Sequence, residues 1–157
     1  MKHFLKFAAL ASVLVFAACG ALAQASDDTP TAIVEKAVNE HELNFVVNYV
    51  SPSGFPGYAS SDGYYLKIKD GKVSSYLPFV GTSTQPAFGG DEIGFKFDEC
   101  PVKIKTKKGK DSTTLRFSAK SGYENVDVIM EIWSNGNANL SCVSPSRSVM
   151  NYSGELQ

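Results

Sequence analysis

The 157-residue chain is 43% hydrophobic and 20% charged, with 10 Phe and 7 Tyr. That is enough apolar matter for one packed core, and the aromatics favour strand over helix. Formal net charge is −1 and becomes −3, with 13 basic against 16 acidic residues, once a leader containing Lys2 and Lys6 is removed. This balance excludes a nucleic-acid partner, because holding phosphates needs a positive footprint.

Residues 1–23 read as a targeting segment. Lys2 and Lys6 form a short positive start, and an apolar run from Phe7 to Ala18 is too short for a comfortable bilayer span. Ala21-Leu22-Ala23 is a small-x-small cleavage site, which predicts Gln24 as the new N-terminus. A second exported reading competes with it. Phe16-Ala17-Ala18-Cys19-Gly20 resembles a lipoprotein box, with Phe16 where that motif usually has Leu, and it would make Cys19 the lipidated residue. The first reading places the protein in the periplasm or outside the cell. The second anchors it to the outer membrane by lipid, which is the one membrane association expected. Residues 24–157 are expected to form a single β-rich domain.

The one helix signal opens that domain. Thr29 is placed to cap, and Pro30 suits a first helical turn, where its missing N–H costs nothing. Ile33, Val34, Ala37 and Val38 share one face at helical spacing, which predicts a helix from Pro30 to about His41 lying on the sheet. The period then changes to two. Leu43, Phe45, Val47 and Tyr49 alternate with polar residues, as do Tyr64, Leu66 and Ile68. Asp70-Gly71 offers a tight hairpin turn, and Val73, Ser75 and Leu77 return from it.

Ile93, Phe95 and Phe97 begin the second half, and Pro101 marks a bend. Val102, Ile104 and Thr106 are expected to face in, with Lys103, Lys105 and Lys107 out. Lys108-Gly109-Lys110-Asp111 turns the chain into Leu115, Phe117 and Ala119. Val126, Val128, Met130 and Ile132 form another apolar face, Asn135-Gly136 reverses it, and Ala138, Leu140 and Cys142 come back. Ser144-Pro145 breaks the chain before a last strand from about Ser148 to Glu155. Eight or nine short strands with three hairpin turns and no intervening helices predict a mainly β fold. The expected form is an antiparallel meander curled into a half-barrel or closed barrel, with the N-terminal helix packed on it. A two-sheet β-sandwich is the alternative.

Several of these segments resemble a known family. Leu43-Asn44-Phe45 begins the first strand, Asp70-Gly71-Lys72-Val73 follows, then Tyr76-Leu77-Pro78-Phe79-Val80-Gly81, and Asn151-Tyr152-Ser153-Gly154 closes the chain. The order resembles domain-of-unknown-function family 4251, exported proteins of gut-dwelling anaerobic bacteria, over about residues 32–156. The Tyr-Leu-Pro-aromatic-x-Gly run after an Asp-Gly hairpin is its most specific piece. Members often carry Arg after that Gly, where Thr82 stands here, so no role is carried over to that side chain. The resemblance implies export, a β-rich fold and an envelope location, and it implies no reaction.

Chemistry-bearing patterns are sparse. His41 is the only histidine after the leader, and it reads as a residue of the helix C-terminus. No P-loop, GxSxG, HExxH or dinucleotide glycine motif occurs, so neither a cofactor nor a metal is expected. Asp91-Glu92 and Asp98-Glu99 are adjacent pairs. Neighbours on a strand point to opposite faces, so neither pair makes a glycosidase geometry by itself. Cys100 and Cys142 share the inward parity of their strands, which predicts two buried thiols. They are a candidate disulfide, left open against two unpaired thiols.

The lysines at 103, 105, 107, 108 and 110 suit anionic lipid headgroups or acidic glycans. The preferred reading is protection of an edge strand against aggregation. Two long loops carry aromatics, Phe55 and Tyr58 in one and Phe79 and Phe88 in the other, and these four are the candidate ligand-binding residues. The expectation is an exported, non-enzymatic β domain. One barrel end would bind a small apolar molecule, a lipid or a glycan, or an envelope protein. A protein–protein adaptor or assembly factor in the periplasm is the alternative, and a carboxylate-based hydrolase is the least favoured reading.

Overall fold

Side chains on an extended strand alternate between two faces, so a strand with one wet face shows burial at every second residue. The structure, a computed structural model, follows that rule along most of the chain. It describes residues 29–60, 63–84 and 94–157. The expected leader with Cys19, the expected N-terminus Gln24, Phe88, the Asp91-Glu92 pair and Ile93 lie outside the described residues.

Helix α1 (Pro30–Asn39) is followed by β1 (Leu43–Pro52), β2 (Tyr58–Ala59), β3 (Tyr65–Lys69), β4 (Lys72–Leu77) and β5 (Phe95–Pro101). Then come β6 (Lys105–Lys108), β7 (Ser112–Ser121), β8 (Glu124–Trp133), β9 (Asn137–Val143) and β10 (Met150–Leu156). All pairings are antiparallel. The described strands form one sheet in the order β5-β4-β3-β1-β10-β9-β8-β7-β6, with β2 added beside β1. The sheet curls into a half-barrel. The sandwich alternative fails because every strand belongs to the same sheet.

The two sheet ends meet through one bent segment, Phe95–Lys108. Its first half, β5, is laddered to β4, and its second half, β6, to β7. Between β5 and the upper half of β7 the joint is made by isolated contacts. The Lys96 N–H donates to Ser121 Oγ at 3.3 Å, and the Cys100 thiol donates to the Lys120 carbonyl at 3.3 Å.

Inside lie Phe45, Leu66, Phe95, Phe97, Met130 and Tyr152, all but solvent-free, together with the inward residues of the other strands. Closing this interior removes large apolar areas from water, the main favourable term in folding. The rows expected to face in do so at Val73-Ser75-Leu77, Leu115-Phe117-Ala119, Val126-Val128-Met130-Ile132 and Ala138-Leu140-Cys142. The Asp70–Gly71 hairpin has φ of 51° and 70°, the paired positive values a two-residue turn requires.

Four expectations are corrected. Tyr49 faces out, because the register shifts between Val47 and Tyr49 and the extra residue inverts the parity of the strand. Gly154, opposite Val47, accommodates this bulge: a Cβ there would collide with the Val46 carbonyl oxygen. Cys100 is only half-buried, because a second bulge at Glu99 (φ 43°) rotates it. Thr106 is exposed like the rest of β6, and Val102 and Ile104, which pack partly on the core, lie outside the strand. Thr29 makes no side-chain cap, and the helix ends at Asn39, before His41.

The two ends of the half-barrel differ. At one, α1 lays Ala37 and Val38 inward, Pro30 packs beside Gly136, and His41 Nε2 meets Thr106 Oγ1 at 2.9 Å. The tight turns at 70–71, 109–111 and 134–136 share this helix end. The opposite end carries the 122–123 turn, the 144–149 segment and the described residues that leave β1 and β4.

Candidate functional site: the loop end

Strand direction decides which loops meet. β1, β4, β7 and β9 all rise toward the same end, so the four connections that leave them gather there. The 144–149 segment binds the two long loops. The Ser53 N–H donates to the Val149 carbonyl at 3.1 Å, which ties down the first loop. The second is held by Ser148 N–H to the Thr82 carbonyl at 3.0 Å, Thr84 N–H to the Ser146 carbonyl at 2.8 Å, and a β-bridge between Ser83 and Arg147. Thr82 also meets Ser148 Oγ through its own N–H and hydroxyl.

A buried polar cluster lies under this tie. Glu124, at the start of β8, is only 10% exposed at its side chain, and Arg147 is 20% exposed. Arg147 Nε lies 2.5 Å from Glu124 Oε1. That contact is an ion pair without an aligned hydrogen bond to the oxygen. Ser144 and Ser146 hydroxyls both donate to Glu124 Oε2. Arg147 Nη1 donates to the Gly94 carbonyl at 3.2 Å, so the guanidinium also holds the far foot of the second loop. Its plane sits over the rings of Phe79 and Phe95, 5.5 and 5.2 Å from their centroids. Phe79 meets Phe95 edge-on at 5.8 Å.

Tyr152 connects the core to the same loop. Its hydroxyl donates to the Pro78 carbonyl at 2.7 Å. Burial pushes the pKa of its hydroxyl far above the ordinary value, Cys142 and Tyr58 push the same way, and Arg147 opposes them.

The structure therefore brings Phe55, Tyr58 and Phe79 to one end and gives them different parts. Phe55 is 47% and Tyr58 37% exposed, whereas Phe79 is folded down as a lid on the core beneath Arg147. Tyr123, in the β7–β8 turn, is 97% exposed at the same end; sequence reading missed it because an aromatic in a tight turn has no periodic signal. The Glu124 cluster was missed as well. Glu124 lies 20 or more residues from its partners, and Ser144-Pro145 reads in sequence as a strand break.

Cys100 and Cys142 are free thiols on strands that share no ladder. Cys142 is buried between Val128 and Met150, and burial raises the pKa of its thiol well above the ordinary value.

The outer wall of the described residues carries clefts. One, of about 370 Å³, is lined by Ser and Asn residues, Ile129, Tyr152 and a single carboxylate, Glu131. Another, of about 250 Å³, holds Asp70 and Glu99 together with Lys67, Lys69 and Lys72. Among the described residues no group of three His, Cys, Asp or Glu is placed to hold a metal, and no helix is long and apolar enough to cross a membrane.

A curled antiparallel half-barrel, plugged by a helix at one end and carrying tied loops at the other, defines a class of small β scaffold. Within that class the chain belongs to the family described as Domain of unknown function (DUF4251), whose model matches residues 25–156. A crystal structure of a DUF4251 family protein from Bacteroides eggerthii DSM 20697 is similar. It has a TM-score of 0.56 and 18% identity, over 83% of this chain and 85% of that one, a likeness of fold. No curated protein matches the chain.

Proposed function

We propose that this chain is an exported, non-catalytic envelope protein whose half-barrel presents its loop end to a protein partner. The observation that carries this reading is the pairing of a filled interior with exposed aromatics at one end. Core side chains occupy the space a small apolar ligand would need, which weighs against a carrier. Phe55, Tyr58 and Tyr123 remain outside at the loop end, and large aromatics are typical anchors of protein interfaces. The ties from 144–149 to both long loops hold that end in one geometry, which lowers the ordering cost of binding. Export is supported by the leader pattern of residues 1–23. A hydrolase draws little support from the outer clefts: one has a single carboxylate, and in the other Asp70 and Glu99 sit among three lysines.

A photo-reactive amino acid placed at 55 or 123 tests the reading in living cells, with 111 at the helix end as control. The expected result is the same crosslinked protein from both loop positions and none from 111. Absence of any product at 55 and 123, or equal products at all three, overturns it. Cell fractionation and mass measurement of the mature N-terminus decide export, and lipidation at Cys19 against cleavage before Gln24.

A further inference from the structure

The seam where the sheet ends meet carries a strip of cations. Lys69 and Lys72 face each other across the Asp70–Gly71 turn. Lys105 faces Arg116 across β6 and β7, and Lys107 follows on the same face. The Val102 N–H donates to the Gly71 carbonyl at 2.9 Å, which lays the β5–β6 link against the turn and puts Lys103 between the two groups. All six side chains are exposed. Asp70, Asp98 and Glu99 interleave with the strip, and Lys72 reaches Glu99 at 3.4 Å. The other five cations make no ion pair among the described residues.

Like charges directly opposed in a ladder weaken the sheet. Protection of an edge accounts for lysines on β6, the last strand of the sheet, but not for Lys69 set against Lys72 on the inner β3–β4 ladder. An anionic partner would turn both repulsions into attraction. The strip is spread over several strands on flexible lysine stems, with one Arg fork, which suits a field of mobile anionic groups better than one fixed ligand.

We infer that this seam rests on anionic phospholipid headgroups, with the loop end directed away from the bilayer. The inference does not depend on the partner proposed for the loops. The test is co-sedimentation of the full chain with vesicles of about 30% phosphatidylglycerol in phosphatidylcholine, against phosphatidylcholine alone. The expected result is preference for the anionic vesicles, lost in about 0.5 M salt. The triple variant Lys103→Gln, Lys105→Gln, Lys107→Gln should weaken binding about a hundredfold, near fivefold for each charge removed. Its circular dichroism should match the parent, and a variant neutralised at Lys96 and Lys120, at the loop end of the same joint and so away from the bilayer, should bind as the parent does. Equal binding to both vesicle types, or equal binding by parent and triple variant, overturns the inference. So does salt-sensitive retention on immobilised polygalacturonate without vesicle binding, which would assign the strip to acidic glycans.

Discussion

Tyr152 and Pro78 are joined by a hydrogen bond of 2.7 Å that runs from the middle of the core to the first residue of the long second loop. The phenol is otherwise buried, so this bond satisfies its hydroxyl and fixes where the loop leaves β4. Tyr152→Phe keeps the packing and deletes the bond. It should cost about 1 kcal/mol in urea unfolding, without a change in slope.

Arg147 and Glu124 are expected to act as a unit. Arg147→Ala strands a buried carboxylate and frees Gly94 and Phe79 together, and it should cost about 3 kcal/mol. The double variant Glu124→Gln, Arg147→Met removes both charges and leaves an oxygen for the Ser144 and Ser146 hydroxyls. It should be clearly more stable than Arg147→Ala alone. A double-mutant cycle on thermal unfolding reads the coupling.

Gly154 is constrained by its neighbour. Its φ is not in the left-handed region, but a Cβ would meet the Val46 carbonyl, a backbone atom that no rotamer change can move. Gly154→Ala should destabilise by about 1–3 kcal/mol and perturb the β1–β10 amides first in hydrogen exchange.

Alkali should unfold the protein through its core. Cys142 and Tyr152 have pKa values raised above the ordinary 9.0 and 10.0, burial being the main cause in each. The unfolded chain therefore loses these protons before the folded one does. Above about pH 9 it binds fewer protons than the native state, so stability present below that pH falls as pH rises. The fall should begin with Cys142 and steepen near pH 10. Cys142→Ala together with Tyr152→Phe should flatten the pH slope even though it lowers stability overall. Native labelling with iodoacetamide at pH 8 should modify Cys100 and spare Cys142 until the chain unfolds.

Local periodicity made most of the barrel wall legible. The rows around Leu66, Leu115, Met130 and Leu140 alternate without interruption, and their hairpin turns have the residues such turns require. The errors cluster where one residue too many enters a strand. Nothing in Val47-Asn48-Tyr49 announces a bulge, because its cause is the close approach of Gly154 more than a hundred residues later. The loop-end aromatics could be named from loop length, but their division into exposed Phe55 and folded-down Phe79 depends on Arg147, which is brought there by β9 and β10. The Glu124 cluster and the meeting of lysines across the seam are likewise products of long-range pairing, which a reading of neighbours along the chain does not reach.

The bent segment from Phe95 to Lys108 has a mechanical consequence. Because β5 grips one sheet margin and β6 the other, the wall cannot spread unless this single strap peels from a neighbour. Upper β7 has a ladder partner only on its β8 side, so its outward amides lean on scattered contacts. Slow breathing of the whole wall should therefore begin there: deuterium should enter near Ser118 and Lys120 well before it reaches Leu140, and the strap would act as the spring that recloses the gap.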